Sequence, residues 1–353
     1  MKYKLKDLVT IKYGKNQKLV EDNINGKIPI LGTGGVIGYA KESLYNKPSV
    51  LIGRKGTIDK IRYVDQPFWT IDTLFYTEIN TDIVIPQYLY YRLLDIDFKN
   101  LNEGTTIPSL RTQTLYEIEL EIEDIKTQNK IVDILSTIDK KIKYNTHTNN
   151  NLLQLGDLIY NNFFISPKDE WHIKTLKEIS NNFDSKRKPM SSREREEHKG
   201  TYPYYGATSI IDYVDNYLFD DTYILMGEDG TVITDDNKPV LQYIWGKFWA
   251  NNHAHVLQGS IISNEYLYFA LRNTDVKSLV TGAVQPKINQ ENMNKLKFII
   301  PDQDNLRILE KSLSILMKKY KENCCKISTL EQIRDTLLPK LMNGEIDLDK
   351  IEI

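Results

Sequence analysis

Cysteine is nearly absent from this chain. Its 353 residues hold two, Cys324 and Cys325, and they are neighbours. Adjacent Cα atoms lie about 3.8 Å apart, closer than the ~4.4 Å that an unstrained disulfide prefers. No disulfide framework is expected, and two cysteines cannot supply a four-ligand zinc site. Long apolar runs are also missing, and none approaches the ~18 residues of a membrane span. The opening Met1-Lys2-Tyr3-Lys4-Leu5-Lys6 has neither the apolar stretch nor the small-residue cleavage site of a secretory signal, so a cytoplasmic location with no membrane partner is expected. Neither charge sign dominates: 46 Lys and Arg face 48 Asp and Glu. Composition alone therefore gives no support to nucleic-acid binding, but it does not exclude a local basic face. With 41% hydrophobic and 27% charged residues, the chain reads as globular and has room for two domains.

The motifs of common chemistries are missing too. Gly32-Thr33-Gly34-Gly35 is glycine-rich, but no GxxxxGK[ST] follows, and no strand-GxGxxG-helix context exists. A tight turn is the better reading. No Asn/Asp-Pro-Pro-aromatic motif for methyl transfer to a base is present. Asp235-Asp236-Asn237-Lys238 has the residue types of a metal-dependent nuclease, but it sits beside Pro239 and reads as a solvated loop. His253-Ala254-His255 would place both rings on one face of a strand. Two ligands are too few for structural zinc, and hydrogen-bonded histidines packed after Trp249 are expected instead. No serine or cysteine sits in a nucleophile motif. No catalytic residue and no metal site is expected.

What the chain does contain is a repeat. Ile28-Pro29-Ile30-Leu31-Gly32-Thr33 returns 174 residues later as Tyr202-Pro203-Tyr204-Tyr205-Gly206-Ala207. At that shift Tyr39 meets Tyr213, Gly53 meets Gly227 and Gly56 meets Gly230. Phe68-Trp69 matches Phe248-Trp249, 180 residues on, so the second copy holds a short insertion. Tyr88-Leu89-Tyr90-Tyr91 matches Tyr266-Leu267-Tyr268-Phe269, and Gly104-Thr105-Thr106-Ile107-Pro108 matches Gly282-Ala283-Val284-Gln285-Pro286, both at a shift of 178. The copies share glycines, prolines, aromatics and apolar positions, and differ in polar residues between them. One scaffold presenting two different surfaces has this appearance.

Each copy ends in a long helical pattern. Ile131, Ile134, Leu135, Ile138 and Ile142 step by three and four, and Leu152, Leu155 and Ile159 resume the stripe after Asn145 and Asn149. The second stripe holds Leu306, Leu309, Leu313, Leu316, Tyr320, Cys324, Ile327, Leu330, Ile333, Leu337 and Leu341. These are the marks of a coiled-coil seam, with the asparagines fixing register. About 35 residues at 1.5 Å each give a helix of roughly 50 Å. Paired antiparallel, two such helices would form a rod with a domain at each end. Between them lie strand candidates: Ser49–Ile52, Ile58–Val64, Tyr223–Met226, Leu241–Ile244 and Lys297–Ile300. Tyr88–Leu94 and Tyr266–Arg272 read as short helices, and Asp184–Lys199 as an exposed loop. The expected class is α+β. Two β-rich domains, residues 1–125 and 166–303, alternate with helical spacers at 126–165 and 304–353.

The turn after each repeated strand differs in charge. Gly53-Arg54-Lys55-Gly56-Thr57 is basic, whereas Gly227-Glu228-Asp229-Gly230-Thr231 is acidic. Arginine can pair with guanine, lysine can reach guanine or phosphate, and a carboxylate can accept from cytosine N4. Opposite charge on one loop suits two target sequences, and plain surface variation is the competing reading. The further candidates for DNA contact are Lys15 with Asn16 and Gln17, Thr33 and Gly34, Thr105 and Thr106, Lys186, Arg187 and Lys188, Thr208 and Ser209, and Gln285 with Lys287. Lys186 to Lys188 would position phosphate, or form a solvated run.

These features together resemble the specificity subunit of Type I restriction-modification systems. The likeness rests on Leu51 to Thr57 through Phe68-Trp69, on Gly104 to Leu110, and on the closing Leu337-Leu338-Pro339-Lys340-Leu341-Met342-Asn343-Gly344-Glu345-Ile346. It implies two target-recognition domains in pseudo-two-fold repeat, joined by two long antiparallel coiled-coil helices. Each domain would read one half of a split, asymmetric site in double-stranded DNA. Two methyltransferase subunits would dock on the helices and modify adenine. Restriction-translocase subunits would join for cleavage. S-adenosylmethionine, ATP and Mg²⁺ would belong to those partners and not to this chain. Two alternatives stay open: a related system whose methyltransferase and nuclease are fused, and a duplicated interaction scaffold that binds no DNA. A nuclease acting alone lacks its carboxylate cluster.

Overall fold

The computed structural model describes residues 1–168, 170–282 and 285–348. Ala283 and Val284 of the repeat, and 349–353 of the final spacer, lie outside the described residues. The chain divides into two compact units, Met1–Tyr144 with Ile327–Ile353, and Asn145–Lys326.

The two units repeat one plan. In the first, an antiparallel sheet runs in the order Val9–Tyr13, Leu74–Ile79, Ser49–Gly53, Arg62–Val64. The second unit gives Ser180–Asn182, Ala254–Gly259, Tyr223–Gly227, Leu241–Ile244 in the same order. Ser49–Gly53 and Tyr223–Gly227 are buried at every residue. Their uninterrupted apolar runs suit a strand covered on both faces. A second sheet in each unit is built on a hairpin, Ile28–Gly32 with Gly35–Ala40 and Lys199–Tyr205 with Ile210–Val214. In both, the hairpin's first strand pairs in parallel with the strand holding the repeated tryptophan, Trp69 or Trp249. Each indole donates to a lysine carbonyl, Trp69 to Lys15 at 2.9 Å and Trp249 to Lys188 at 2.6 Å. A third, two-stranded ladder joins the first strand of each repeat copy to its last, Lys2–Lys4 with Glu119–Glu121 and His172–Thr175 with Lys297–Ile300.

The short helices form at Pro86–Leu94 and Asn264–Arg272. Proline at the first position starts one, and the Ser263 hydroxyl caps the other by accepting from the Tyr266 amide. Their buried tyrosines and leucines close each core over the sheet.

The long helices span Ile125–Phe163 and Gln303–Met342. Each contributes one part to each unit. In the first unit Arg334 pairs with Asp139 at 3.3 Å, and Lys130 donates to the Leu348 carbonyl. As one chain rises in number its neighbour falls, so the helices run antiparallel. In the second unit Asn149 Nδ2 lies 3.2 Å from Cys324 Sγ. Of the seam positions, Ile131, Leu135, Leu306, Leu309, Leu313 and Leu341 are buried. Ile138, Ile142, Leu152, Ile159, Leu316, Tyr320, Ile327, Leu330 and Leu337 are half-buried. Leu155 and Ile333 fall off the seam, exposed at 45% and 43%. The second helix stops in a reversal at Gly344, where Glu345 N donates to Lys340 O and Gly344 N to Leu341 O. Ile346 and Leu348 then fold back onto the first unit's core.

Two other expectations need correction. The proposed strand Ile58–Val64 shrinks to Arg62–Val64, because Ile58 is buried in the preceding turn. The proposed loop Asp184–Lys199 holds a helical turn at Asp184–Lys186 and a helix at Ser192–Glu197. Ser191 and Glu194 form a capping box at that helix. The helix buries no side chain, so no apolar period announced it.

Candidate functional site

The turn after each central strand is held by one set of backbone bonds, used twice. In the first unit Arg54 N donates to Thr73 O, Gly56 N to Pro108 O, and Leu110 N to Arg54 O. In the second, Glu228 N donates to His253 O, Gly230 N to Pro286 O, and Ile288 N to Glu228 O. Gly56 and Gly230 both sit at φ +82°, a conformation that side-chain-bearing residues rarely adopt. A one-residue bridge ties each turn to the loop opposite, Lys55 to Ser109 and Asp229 to Lys287. Arg54, Lys55 and Thr57 thus stand beside the loop of Thr105 and Thr106. Glu228, Asp229 and Thr231 stand beside the loop of Gln285 and Lys287.

Below the turns the copies part. Strand Val9–Tyr13 pairs Tyr13 with Phe75. In the second unit the ladder that starts at Ser180 opposite Gly259 ends at Asn182 opposite Leu257, and the helical turn that follows sets the Asp184 side chain against His255. The first floor is aromatic: Tyr13 and Phe75 meet edge to face, ring centroids 5.0 Å apart. Arg54 stacks its guanidinium over Tyr13 at 5.0 Å and donates to the Asp72 carbonyl at 2.9 Å. Among the described residues no carboxylate pairs with it.

The second floor is ionic. His255 is buried, with Nδ1 2.6 Å from Asp184 Oδ2 and Nε2 2.8 Å from the Ile288 carbonyl. Both ring nitrogens face acceptors, a carboxylate on one side and a backbone carbonyl on the other. Arg187 Nη1 lies 2.6 Å from Glu228 Oε2 and donates to the Ala254 carbonyl at 2.7 Å, while its Nη2 lies 3.4 Å from Asp184. Lys287 Nζ reaches Glu228 Oε1 at 3.2 Å. Burial pushes the Asp184 carboxyl upward, but the His255 hydrogen bond and charge outweigh it and hold the group below its ordinary range. Burial acts the same way on Glu228, and Arg187, His255 and Lys287 reverse it. Asp184, Glu228 and His255 lie close enough together to suggest a metal centre. Their donor atoms already face Arg187, Lys287 and each other, so the chain's own cations occupy the places a metal would take.

The remaining candidates scatter. Thr33 and Gly34 lie at the tip of the first hairpin, and Thr208 and Ser209 at the tip of the second. Lys15 and Lys188 are exposed beside the tryptophans that bond their carbonyls. Lys186 sits over the Phe183 ring. Arg187, placed in a solvated or phosphate-facing run by its neighbours in sequence, is instead 12% exposed inside the ionic floor. His253 pairs with Asp229 at the surface. The Asp235–Lys238 segment is a tight turn closed by Thr234 and by Asn237 at φ +63°. Sequence reasoning did not single out Asp184, Tyr13 or Asp72. Asp184 reaches Glu228's partners from the helical turn that follows strand Ser180–Asn182.

The family model described as the Type I restriction modification DNA specificity domain matches this chain twice, over residues 1–154 and 168–324. The chain belongs to that family. The two matched stretches are the two copies of the repeat. A Methanocaldococcus jannaschii relative, the type I restriction enzyme MjaIX specificity subunit, is 23% identical over 87% of this chain and 80% of its own length. A 133-residue stretch is 35% identical to a Haemophilus influenzae protein provisionally assigned as a type I specificity subunit, covering 37% of this chain and 33% of that protein. The crystal structure of a type I S subunit from M. genitalium shares the fold, with a TM-score of 0.60 at 21% identity, over 97% of this chain and 95% of that one. No helix is long and apolar enough to cross a membrane, among the described residues.

Proposed function

We propose that this chain is the DNA-reading subunit of a type I restriction-modification complex, with each repeat unit reading one half of a split, asymmetric site. The observation that carries this is the duplicated turn. One backbone frame carries Arg54 and Lys55 in one copy and Glu228 and Asp229 in the other, each beside its own opposite loop. Base edges in the major groove differ in donors and acceptors, so a constant frame with exchanged side chains suits two targets. The chain acts without chemistry of its own. Two methyltransferase subunits dock on the long helices and flip the adenine that they modify, and restriction-translocase subunits join for cleavage. S-adenosylmethionine, ATP and Mg²⁺ serve in those partners. With a net charge of −2, this chain leaves much of the phosphate affinity to the methyltransferases. The helices set the gap between half-sites, as dimer geometry does in other DNA-binding proteins.

The test is a methylation map of DNA from a host free of other methyltransferases, with this chain expressed beside its methyltransferase subunit. Methylated adenines in a split motif, lost when this chain is omitted, are expected. Replacing residues 1–125 by the first domain of another family member should change one half of that motif. A change in both halves overturns the division of labour. No methylation, with both proteins co-purifying, favours the scaffold that binds no DNA.

A further inference from the structure

The cation of the second recognition turn has crossed to the opposite loop. In the first unit the bridge joins basic Lys55 to neutral Ser109, and in the second it joins acidic Asp229 to basic Lys287. Glu228 stands where Arg54 stands, yet it does not face solvent as a free acceptor. Its side chain is 14% exposed, with Oε2 on Arg187, Oε1 on Lys287, and His255 at 3.6 Å. A carboxylate so engaged has little capacity left to accept from a cytosine. The Arg187 guanidinium takes over the place of Arg54's. Arg54 donates to the carbonyl of Asp72 and Arg187 to those of Ala254 and Asn252, on the segment that enters the equivalent strand. It is buried there and equally unavailable. Of the three side chains set against Glu228, Lys287 alone is exposed, at 47%, against 12% for Arg187 and 1% for His255. Its backbone is fixed by two 2.8 Å bonds with Thr281 as well as by the bridge to Asp229. A charged head on a backbone held from both sides is pre-organised for contact.

We propose that Lys287, and not Glu228, is the specificity-determining group of the second half-site, and that Glu228, floored by Asp184, His255 and Arg187, is a positioning residue that aims it. This rests on the reading that the two turns face DNA. The amine, a donor only, selects acceptors on the base edge, guanine O6 and N7 above all.

The experiment is the methylation map, repeated with five variants of the full chain in its complex. Lys287→Ala should let one position of the second half-site accept other bases, with about a tenfold loss of preference for the original one, while the first half stays intact. Lys287→Arg should keep the original motif. Glu228→Gln should relax the same position without enlarging the change made by Lys287→Ala when the two are combined. A map unchanged by Lys287→Ala overturns the proposal, and Lys287 is exposed enough for that variant to fold. The double variant Arg54→Ala, Lys55→Ala separates the two levels. If it alters the first half while Lys287→Ala leaves the second alone, the assignment of Lys287 fails by itself. If neither alters the motif, the DNA-facing turn fails with it.

Discussion

Tyr13 and Phe75 lie beneath the turn of the first recognition domain, and Asp184 and His255 lie beneath that of the second. The turn above the aromatic pair is basic, and the turn above the ionic pair is acidic. A guanidinium rests well on a ring face, because the ring's quadrupole attracts it without asking for a countercharge. A half-buried carboxylate in the same place needs cations around it, and the second domain supplies Arg187 and Lys287. An acidic reading turn in place of a basic one therefore goes with different residues on a strand (His255), a helical turn (Asp184, Arg187) and a loop (Lys287). The backbone frame did not move.

This contrast can be broken most directly at Arg187. Arg187→Ala leaves two poorly solvated carboxylates with fewer partners and should cost the second domain about 3–5 kcal/mol. Urea unfolding followed by amide exchange in each domain reads this. A loss below about 1 kcal/mol would mean that the floor is solvated and the contrast is superficial. Next in size is the coupling between Asp184 and His255. Asp184→Tyr and His255→Phe together, which import the first domain's floor, should be milder than the two single losses summed. A coupling of about 0.5–3 kcal/mol is expected, and strict additivity would deny that they act as a pair. Acid sharpens the contrast further. Asp184 and Glu228 are both held below their ordinary values, so their contribution is complete above about pH 4.5 and drains away as the pH falls through the lower folded values. Amides of the second domain should lose protection before those of the first on acidification. The reverse order would place the acid-sensitive groups elsewhere. The smallest effect belongs to Arg54→Ala, which removes one exposed cation–π contact and should cost about 0.5–1 kcal/mol. A cost matching that of Arg187→Ala would show the two arginines equally embedded.

Much of this architecture could be read from residue order. Glycine and proline marks at near-constant shifts gave the duplication, and three-four spacing gave both long helices to within a residue or two at three of their four ends. Leu155 and Ile333 were assigned to the seam because they are apolar, yet a helix of 3.6 residues per turn drifts off a strict repeat and carries such residues to the surface. The candidate site was legible only as a place. Gly53–Thr57 and Gly227–Thr231 stood out as equivalent turns. The partners of their side chains did not, because Glu228 meets Arg187 across 41 residues of chain and His255 meets Asp184 across 71.

Sequence alone determined that one α+β plan is used twice, where its turns fall and which stretches are helical. Those properties are local: they depend on backbone preferences and on the period of apolar side chains. Only the tertiary structure decided which charges face outward. A helical turn and a neighbouring strand brought Asp184, Arg187 and His255 beneath Glu228, and a buried carboxylate among cations is neutralised where it sits. The acidic turn of the second domain therefore presents a lysine from the opposite loop, a reversal that neighbouring letters in a sequence do not contain.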